Sequence, residues 1–264
     1  MQTSINEIAL PDALKVSRQD NVLLVKIDRA HKRNALDPDT VRGLDRLFSH
    51  VPDWAQCAII YSAGDHFSAG LDLMELREKD VIEGIWHSRM WHQALDKVQY
   101  GKVPVISVLH GAVVGGGLEL ASATHIRIAD RTAFYALPEG QRGIYVGGGA
   151  SVRLPQLIGL ARMQDMMLTG RVYNADEGQS IGITQYLVED NAFEKAMELA
   201  MKICSNVYVT NYSVMHILPR IQEASNEAGF MMESLIAAIS QSTPEAKERL
   251  RAFLEGKAKK VENK

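Results

Sequence analysis

The sequence predicts an α/β protein with strands and helices in its first half and helices alone in its final third. Short apolar runs typical of buried strands recur up to about residue 150, separated by turns and longer amphipathic segments. From about Ser151 onward, apolar residues recur at helical spacing instead. Since no linker rich in Pro, Gly or Ser separates the two parts, the sequence indicates one fold.

The first elements are a hairpin and a capped helix. LKVSRQDNVLLVKID predicts two strands that turn at Asp20 and Asn21, with residues 22–27 as a largely buried strand. In LDPDTVRGLDRLFSHV, Asp37 is suited to cap a helix and Pro38 to its first turn. Four apolar side chains of this segment share one face, which predicts an amphipathic helix.

The middle of the chain continues the alternation. CAIIYS predicts a strand, AGDHFSAGLDL a loop, and residues 79–99 a long helix. VPVISVL predicts a further strand, followed by a run of three glycines at 115–117 and a helix. HIRIAD and AFYAL then read as short strands. This strand–strand–helix rhythm suggests a repeated structural unit, although no repeat is visible in the sequence.

The last third is predicted to be helical. SVRLPQLIGLARMQDMMLTG is expected to be helical up to Gly170, and Asn174 to cap a short helix that ends near Gly182. Three or four more helices should follow, the last beginning at Thr243–Pro244 and ending at Gly256.

Composition excludes several classes of function. The net charge of the 264 residues is −3, so no long-range field favours nucleic acid or an acidic membrane. Cys57 and Cys204 are too few for a disulfide framework. MQTSINEIALPD lacks the pattern of a secretory signal, and no apolar run reaches the ~18 residues of a membrane span. We therefore expect a reduced, cytoplasmic protein that binds neither membrane nor nucleic acid.

The first chemical signal is the segment GAVVGGGLEL at residues 111–120. A strand, glycines and then a helix place free backbone N–H groups at a helix N-terminus, where a negative charge is favoured. The dinucleotide pattern G-x-G-x-x-G is not met, because Leu120 occupies its last position, and the G-K-[ST] of a phosphate loop is absent. The segment suits one developing negative oxygen, the alternative being tight helix–strand packing.

A second glycine-bearing loop follows an earlier strand. HFSAGLDL, residues 66–73, groups the small residues 68–70 around a turn. Taken alone it is equally consistent with an ordinary loop. Two such strand exits can each offer one N–H group to the same oxygen, which is the arrangement of an oxyanion hole.

Two carboxylates accompany these loops. Glu119 falls in the first turn of the helix after the glycines, and Glu139 follows a strand and a proline, eight residues before the glycine run 147–149. Separately, one could complement the helix dipole and the other lie on the surface. Beside an oxyanion hole, they suggest addition or removal of water next to an activated carbonyl, with one carboxylate as base and the other as acid.

Several motifs together resemble the enoyl-CoA hydratase/isomerase (crotonase) superfamily. They are HFSAGLDLMEL, VPVISVLHGAVVGGGLELA, AFYALPEGQRGI, GGGASVRLPQLIGLARMQDMMLTGR and TPEAKERLRAFLEGK, in the family's order and spacing. The resemblance implies the ClpP/crotonase-like fold, a spiral of β-β-α units in residues 1–195 with a helical C-terminal region, 196–264, used in trimerisation. It also implies a homotrimer or a hexamer made of two trimers.

The resemblance assigns the site residue by residue. The oxyanion donors would be the backbone N–H groups of Leu71 and Gly116, and the acid–base pair Glu119 and Glu139. Because both glutamates are present, hydration of a trans-2-enoyl-CoA, as in fatty acid metabolism, is favoured over other family reactions. CoA belongs to the substrate, and no further cofactor and no metal are expected. The residues implied to contact CoA are Arg33, Ala35, Leu36, Ser68, Ala69, Gly70, Asp72, Lys257 and Lys260.

Some positions depart from the family pattern. His110 stands where the family usually has asparagine, and it is either a packed histidine or a residue that supports the site without touching the substrate. Val146 stands where the family often has proline. WHQ at 91–93 also occurs in the family's 4-chlorobenzoyl-CoA dehalogenase, but Gly147 stands where that enzyme has its aspartate nucleophile. Trp86 and Trp91 are either core residues or walls of an acyl pocket for a bulky group.

Other activities remain alternatives to hydration. Within the superfamily they are double-bond isomerisation and another lyase or hydrolase reaction on a CoA thioester. Some crotonase-fold proteins bind RNA, and a non-catalytic acyl-CoA-binding protein is a third class. The charge of −3 argues against RNA binding, and the two glutamates argue against a protein without activity.

Overall fold

Two sheets organise the first part of the chain in a computed structural model that describes residues 8–72 and 80–257. The described strands are β1 (Leu14–Gln19), β2 (Val22–Ile27), β3 (Cys57–Ser62), β4 (Val105–Leu109), β5 (Ala112–Val114), β6 (Ile126–Asp130), β7 (Phe134–Ala136), β8 (Tyr173–Asn174) and β9 (Tyr186–Val188). The larger sheet has the order β1-β2-β3-β4-β6-β9 and the smaller the order β5-β7-β8.

The larger sheet is parallel except at its first pair. β1 and β2 form the predicted antiparallel hairpin, and Asp20 at its turn has φ +52°. β2, β3, β4, β6 and β9 pair in parallel, with Leu24 opposite Ile59 and Ile59 opposite Ile106. Parallel strands are covered on both faces, which explains why these segments read as continuous apolar runs.

Helices cover the sheets and make up the end of the chain. The described helices are α1 (Pro38–Ser49), α2 (Val81–Gln99), α3 (Gly116–Ser122), α4 (Ala150–Ile158), α5 (Leu160–Thr169), α6 (Ala175–Ile181), α7 (Ala192–Cys204), α8 (Tyr208–His216), α9 (Leu218–Glu223), α10 (Asn226–Ser242) and α11 (Pro244–Leu254).

Side-chain caps fix several helix starts. Asp37 accepts a hydrogen bond from the N–H of Thr40 at 2.8 Å, as predicted. Asp80 and Glu83 form a capping box at the start of α2. Asn174 and Glu177 form another at α6, which confirms the predicted cap.

Two interruptions and three short strands differ from the sequence prediction. The helical segment expected up to Gly170 is broken at Gly159, whose φ of 82° and ψ of 149° no helix contains. Five helices, rather than three or four, follow Gly182 in the described residues, because α8 and α9 are separated at Ile217. β5, β8 and β9 have two or three residues each, too few to show an alternating pattern.

The two faces of the larger sheet bury different apolar clusters. Leu23, Val25 and Ile27 of β2 pack in the cluster that includes α1 and α2. Val22 and Leu24 point to the other face, where the cluster includes residues of α7. Because side chains alternate along a strand, one buried strand serves both layers.

Contacts within the chain divide it after Cys204 into two units. The predicted boundary at residue 195 falls inside α7, which packs on the larger sheet through Ala196, Leu199 and Ala200 and so belongs to the first unit. The second unit contains α8 to α11. In residues 8–72 and 80–257, none of the helices has the length and apolar character that a membrane span requires.

Candidate active site

A cavity of about 700 Å³ lies in the first unit, where both glycine-bearing loops and both predicted glutamates meet. Segments from four parts of the chain line it. The lining residues are Ala69, Gly70, Leu71, Gly84, His87, Ser88, Trp91, Gly115, Gly116, Glu119, Glu139, Arg142, Ile144, Tyr145, Val146, Gly147 and Gly148.

The predicted oxyanion donors lie side by side in this cavity. A Cβ atom placed on Gly116 would be 3.5 Å from the nitrogen of Leu71, and one placed on Gly70 would be 3.2 Å from the nitrogen of Gly116. Among the described residues, neither the Leu71 nor the Gly116 N–H has a backbone acceptor outside regular elements. Gly116 begins α3, so its N–H has no acceptor within the helix either. In the described residues, two N–H groups without a backbone acceptor therefore lie close together beside the cavity.

Backbone pairing holds the two loops together. Ser68 and Val113 form a parallel bridge, and so do Leu36 and Leu71. The N–H of Val114 donates to Ser68 O at 3.1 Å. Gly70 has φ +94°, and a Cβ there would lie 2.7 Å from Val114 O, so this close approach requires glycine.

Glu119 is almost completely buried and is held through one oxygen. Its Oε1 accepts hydrogen bonds from the N–H groups of Gly148 at 2.7 Å and Ala150 at 3.2 Å. Burial raises the pKa of Glu119 to about 7, although the two N–H groups oppose the shift. A carboxyl group with a pKa near 7 can either give or take a proton at neutral pH.

Glu139 reaches the cavity from the segment that follows β7. Its Oε2 is buried, and no hydrogen-bond partner for it occurs among the described residues. Burial raises the pKa of Glu139, while the charge of Arg142 lowers it. A Cβ on Gly115 would lie 2.7 Å from Glu139 Oε1, which places this carboxylate against the glycine run.

Arg153 of α4 supports the loop that holds Glu119. Its Nη1 donates to Gly148 O at 3.0 Å, its Nε to Gln99 Oε1 at 2.6 Å and its Nη2 to Asp96 Oδ1 at 2.8 Å. The residue is 6% exposed. Burial lowers the pKa of Arg153, and Asp96 opposes this shift. The sequence prediction did not include Arg153, whose one signal is a cation in the apolar segment SVRLPQLIGL.

The two tryptophans have different positions. Trp91 is buried and lines the cavity, and a Cβ on Gly116 would lie 2.7 Å from its Cη2. Both predicted alternatives therefore apply to Trp91. Trp86 is 69% exposed and does not line the cavity, so its interpretation as a core residue is wrong.

Ser88, which was also not predicted, joins α2 to the second glycine run. Its hydroxyl donates to Gly147 O at 2.6 Å and lies 3.4 Å from Nε2 of His92. Burial lowers the pKa of His92. His110 is half-buried with Nε2 3.0 Å from Gly64 O, as expected of a packed histidine.

The predicted CoA segments run next to each other. The N–H of Ala69 donates to Arg33 O at 3.0 Å, and the N–H of Leu36 donates to Gly70 O at 2.7 Å. Ala69 and Gly70 line the cavity. Other members of the predicted set do not line it: Arg33 is exposed, and Ala35, Leu36, Ser68 and Asp72 are buried.

Two of these buried side chains have structural partners. The Ser68 hydroxyl donates to Asn34 O at 2.8 Å. Asp72 forms an ion pair of 2.7 Å with Arg29. Any contact of these residues with a ligand is therefore expected from their backbone rather than their side chains.

Of the two terminal lysines predicted to contact CoA, only one lies within the described residues. Lys257 belongs to the second unit, is exposed, and forms an ion pair of 2.7 Å with Glu255. Lys260 lies outside the described residues. Within residues 8–72 and 80–257, His, Cys, Asp and Glu do not form a group of three that could hold a metal ion.

Comparison with known proteins shows the family of the chain. The sequence model of the enoyl-CoA hydratase/isomerase family matches residues 17–264. The chain belongs to this family. Enoyl-CoA hydratase EchA19 of Mycobacterium tuberculosis, a relative in the same family, is 30% identical over 261 residues, which cover 96% of this chain and 97% of that protein.

Solved structures give the same result for the fold. A candidate enoyl-CoA hydratase from Rhodopseudomonas palustris is 54% identical with a TM-score of 0.92, covering 95% of this chain and 97% of that one. An enoyl-CoA hydratase from Bacillus anthracis is 27% identical with a TM-score of 0.86, covering 93% and 97%. The predicted crotonase fold is confirmed. The comparisons support an enoyl-CoA hydratase, or a related crotonase-family enzyme, and thus the prediction of a lyase.

Proposed function

We propose that this member of the enoyl-CoA hydratase/isomerase family adds water reversibly, in syn geometry, to the double bond of a trans-2-enoyl-CoA. The observation that carries the proposal is that the N–H groups of Leu71 and Gly116, which have no backbone acceptor in the described part of the chain, share one cavity with two carboxylates. The comparisons support the same reaction class, because a relative matched over nearly its whole length is an enoyl-CoA hydratase.

The N–H pair is suited to the charge that develops on the thioester oxygen. Attack of water at C3 leaves an enolate, whose oxygen is the most negative atom of the intermediate. Two backbone donors, already oriented and held by the bridges at Ser68 and Leu36, stabilise that oxygen without reorganising. Loss of one such donor in other enzymes reduces the rate by about 10²–10³-fold.

The two carboxylates are suited to hold and activate one water. Oε1 of Glu119 accepts hydrogen bonds from two backbone N–H groups, which leaves Oε2 to bind the water. Oε2 of Glu139 is buried and has no hydrogen-bond partner within residues 8–72 and 80–257. One glutamate takes a proton from water as the oxygen bonds to C3, and the other gives a proton to C2. Because the reaction is reversible, each carboxylate must work in both directions.

CoA is proposed to bind as part of the substrate, with no separate cofactor. The adjacent segments 33–36 and 68–72 would contact it through backbone groups around Arg33, Ala69 and Gly70. Lys257 and Lys260 are proposed to reach its phosphates. Alanine at Lys257 and Lys260 should then raise the KM for an enoyl-CoA without changing kcat, whereas loss of kcat alone would argue against this role.

The catalytic roles are tested by Glu119→Gln and Glu139→Gln. Each replacement keeps the shape of the side chain and removes its proton transfer, so hydration of crotonyl-CoA should fall by about 10²–10⁴-fold. The assay follows loss of the enoyl-thioester absorbance and the gain of one water by mass spectrometry. Glu194→Gln, at an exposed position in α7, is the control and should match the unchanged protein.

The same measurements distinguish the alternatives. Near-normal rates in both glutamine variants would refute the acid–base assignment. A product of unchanged mass would indicate double-bond isomerisation, and release of free CoA would indicate hydrolysis. A filter assay with RNA is expected to show no binding, because the net charge is −3.

Assembly and location are proposed on separate grounds. The second unit exposes many large apolar side chains, among them Phe230, Leu235 and Phe253, and this supports a homotrimer or a pair of trimers. The two cysteines are unpaired, which supports the predicted cytoplasmic location. A role in fatty acid metabolism remains a prediction from the family.

A further inference from the structure

We propose that Arg153 is a positioning residue for Glu119 and that α2 anchors it through Asp96 and Gln99. The inference rests on the proposed function, since it assumes that Glu119 takes part in proton transfer. Arg153 is not assigned a contact with substrate. It acts through the turn at 148–150, which supplies both hydrogen bonds to the Glu119 carboxylate.

The guanidinium holds the part of the turn that the α4 backbone does not. The N–H groups of Val152 and Arg153 donate to Gly149 O, whereas Gly148 O accepts from the Arg153 side chain. Gly148 and Gly149 precede α4, and Gly149 has φ +104°. Glycines restrict the chain least, so a hydrogen bond to Gly148 O limits the conformations that this residue can adopt. Arg153 supplies it by donating to Gly148 O at 3.0 Å, while the N–H of Gly148 donates to Glu119 at 2.7 Å.

Space around the turn shows that this arrangement is tight. A Cβ on Gly149 would collide with Nη1 of Arg153, and one on Gly148 would lie 2.7 Å from Glu119 Oε2. The guanidinium and the carboxylate therefore pack against neighbouring residues of the same turn. A small movement of the turn would move the carboxylate with it.

The guanidinium is fixed from the opposite side by α2. Nε donates to Gln99 Oε1 at 2.6 Å and Nη2 to Asp96 Oδ1 at 2.8 Å, so all three kinds of nitrogen have a partner. This geometry uses the planar fork of arginine, which lysine lacks. Trp91 of the same helix lines the cavity, so α2 contributes both a wall and an anchor.

The charge of Arg153 also acts on Glu119. Glu139, from the segment after β7, raises the pKa of Glu119, and Arg153, from α4, lowers it. Three residues of α2 also lie near this group. Trp91 packs against the turn, and Asp96 forms an ion pair with Arg153. The charge of Arg153 also lowers the pKa of His92. Removing the guanidinium should therefore raise the pKa of Glu119. The direction is the same whether Glu119 acts as base or as acid.

The test compares Arg153→Gln, Arg153→Lys and the control Arg162→Gln by kcat, KM and the pH profile of enoyl-CoA hydration. Arg162 of α5 also donates to a backbone carbonyl, Ile158 O at 2.9 Å, but does not line the cavity. The unchanged protein is measured first. If it hydrates none of a panel of enoyl-CoA thioesters, the proposed function fails; if it does, the variants judge Arg153 alone.

For Arg153→Gln, we expect kcat to fall by roughly 10–100-fold with little change in KM, because the carboxylate is displaced while CoA contacts remain. The limb of the pH profile that belongs to Glu119 should move to higher pH. Arg153→Lys should lower kcat but leave that limb near its original pH, because the charge stays. Arg162→Gln should change neither.

Two results would overturn the proposal. One is an Arg153→Gln variant with an unchanged kcat or an unshifted pH profile. The other is an Arg153→Lys variant with the full kcat of the unchanged protein, which also decides the matter if the glutamine variant fails to fold. Circular dichroism and thermal melting check folding for all three variants.

Discussion

At Glu119, burial and hydrogen bonding act on the same carboxylate in opposite directions. Burial is the larger influence, and it raises the pKa of Glu119 from 4.5 to about 7. The N–H groups of Gly148 and Ala150 partly compensate by bonding to the charged form. The pKa of Glu119 therefore lies near neutral pH. Such a pKa suits acid–base catalysis, but burying the charged carboxylate costs stability.

This conflict predicts a pH-dependent gain of stability in Glu119→Gln. Between pH 4.5 and about 7, the folded protein keeps a proton on Glu119 that the unfolded chain releases, so its free energy of unfolding falls as the pH rises. Glutamine does not titrate. The free energy of unfolding of the variant, relative to that of the unchanged protein, should thus rise by at most roughly 3 kcal/mol from pH 4 to pH 8.

Urea unfolding of both proteins at pH 5 and pH 8, at one protein concentration, measures this difference. Glu194→Gln, at an exposed position, should differ from the unchanged protein by the same amount at both values. A Glu119→Gln advantage that shrinks as the pH rises would contradict the argument.

The contact between Gly116 and Trp91 predicts that substitutions at these two positions have coupled effects on the oxyanion hole. Alanine at Gly116 would put its Cβ 2.7 Å from Cη2 and 3.2 Å from Cζ3 of Trp91, so the ring or the donor must move. Gly116→Ala should lower kcat for hydration by about 10-fold or more, because a displacement near 1 Å is sufficient for such a loss. Phenylalanine at Trp91 lacks these ring atoms.

The combined variant Gly116→Ala with Trp91→Phe should therefore recover part of the lost kcat. The measurement is a double-mutant cycle on kcat, in which the two changes are less than additive. Strict additivity would mean that the ring does not control the position of the Gly116 N–H.

Sequence could predict some of these residues and not others. Glu119, Glu139 and the glycine-bearing loops stand in local patterns of strands and helix starts, whereas the family resemblance singled out the N–H groups of Leu71 and Gly116. All four residues line the cavity. Arg153 acts through contacts with α2, whose anchors lie 54 and 57 residues away in the sequence. A local sequence pattern does not predict a contact over this separation.

At the scale of elements, glycines decide where helices stop. Gly159 joins α4 to α5 with φ 82° and ψ 149°, a combination that side chains with a Cβ strongly disfavour. The helical spacing of the apolar residues continues through this point, so the sequence predicted no break there. Caps, in contrast, are local: Asp37 and Asn174 were predicted from residue type alone and were confirmed.

Alanine at Gly159 and at Gly84 should have opposite effects. Apart from the chain neighbours and the backbone of the same helix, no atom in the described part of the chain lies within 4 Å of a Cβ at either position, so packing does not distinguish them. Gly159→Ala forces a strained backbone and should destabilise the fold by about 1–3 kcal/mol. Gly84→Ala, inside α2, should stabilise it by up to about 1 kcal/mol. Urea midpoints measure both, and equal midpoints would refute the backbone explanation.

At the scale of the whole molecule, the candidate site belongs to the first unit alone. The cavity is lined by α2, the β5–α3 junction, the loop after β3 and the segment from Glu139 to Gly148. Parallel pairing makes this possible, because Ser68 meets Val113 across 45 residues of chain. The sequence indicated each loop, but its bare pattern could not show that they meet; the family resemblance supplied that step.

The second unit is expected to mediate assembly, and α10 offers the sharpest test. Met231, Leu235 and Ile239 are 63%, 58% and 53% exposed and four residues apart, so they form one apolar face. Leu235→Asp would bury a charge in any interface built on that face and should shift the mass downward from three or six times the 29.2-kDa chain.

Ala237→Asp is the matched control, since it adds the same charge two positions on, on the other side of the helix. Light scattering after size exclusion should show the smaller species for Leu235→Asp only, because only that charge lies on the apolar face. An unchanged mass for Leu235→Asp would exclude this face from the interface. Crotonyl-CoA hydration by the smaller species would then show whether the first unit, which holds every lining residue of the cavity, is active without assembly.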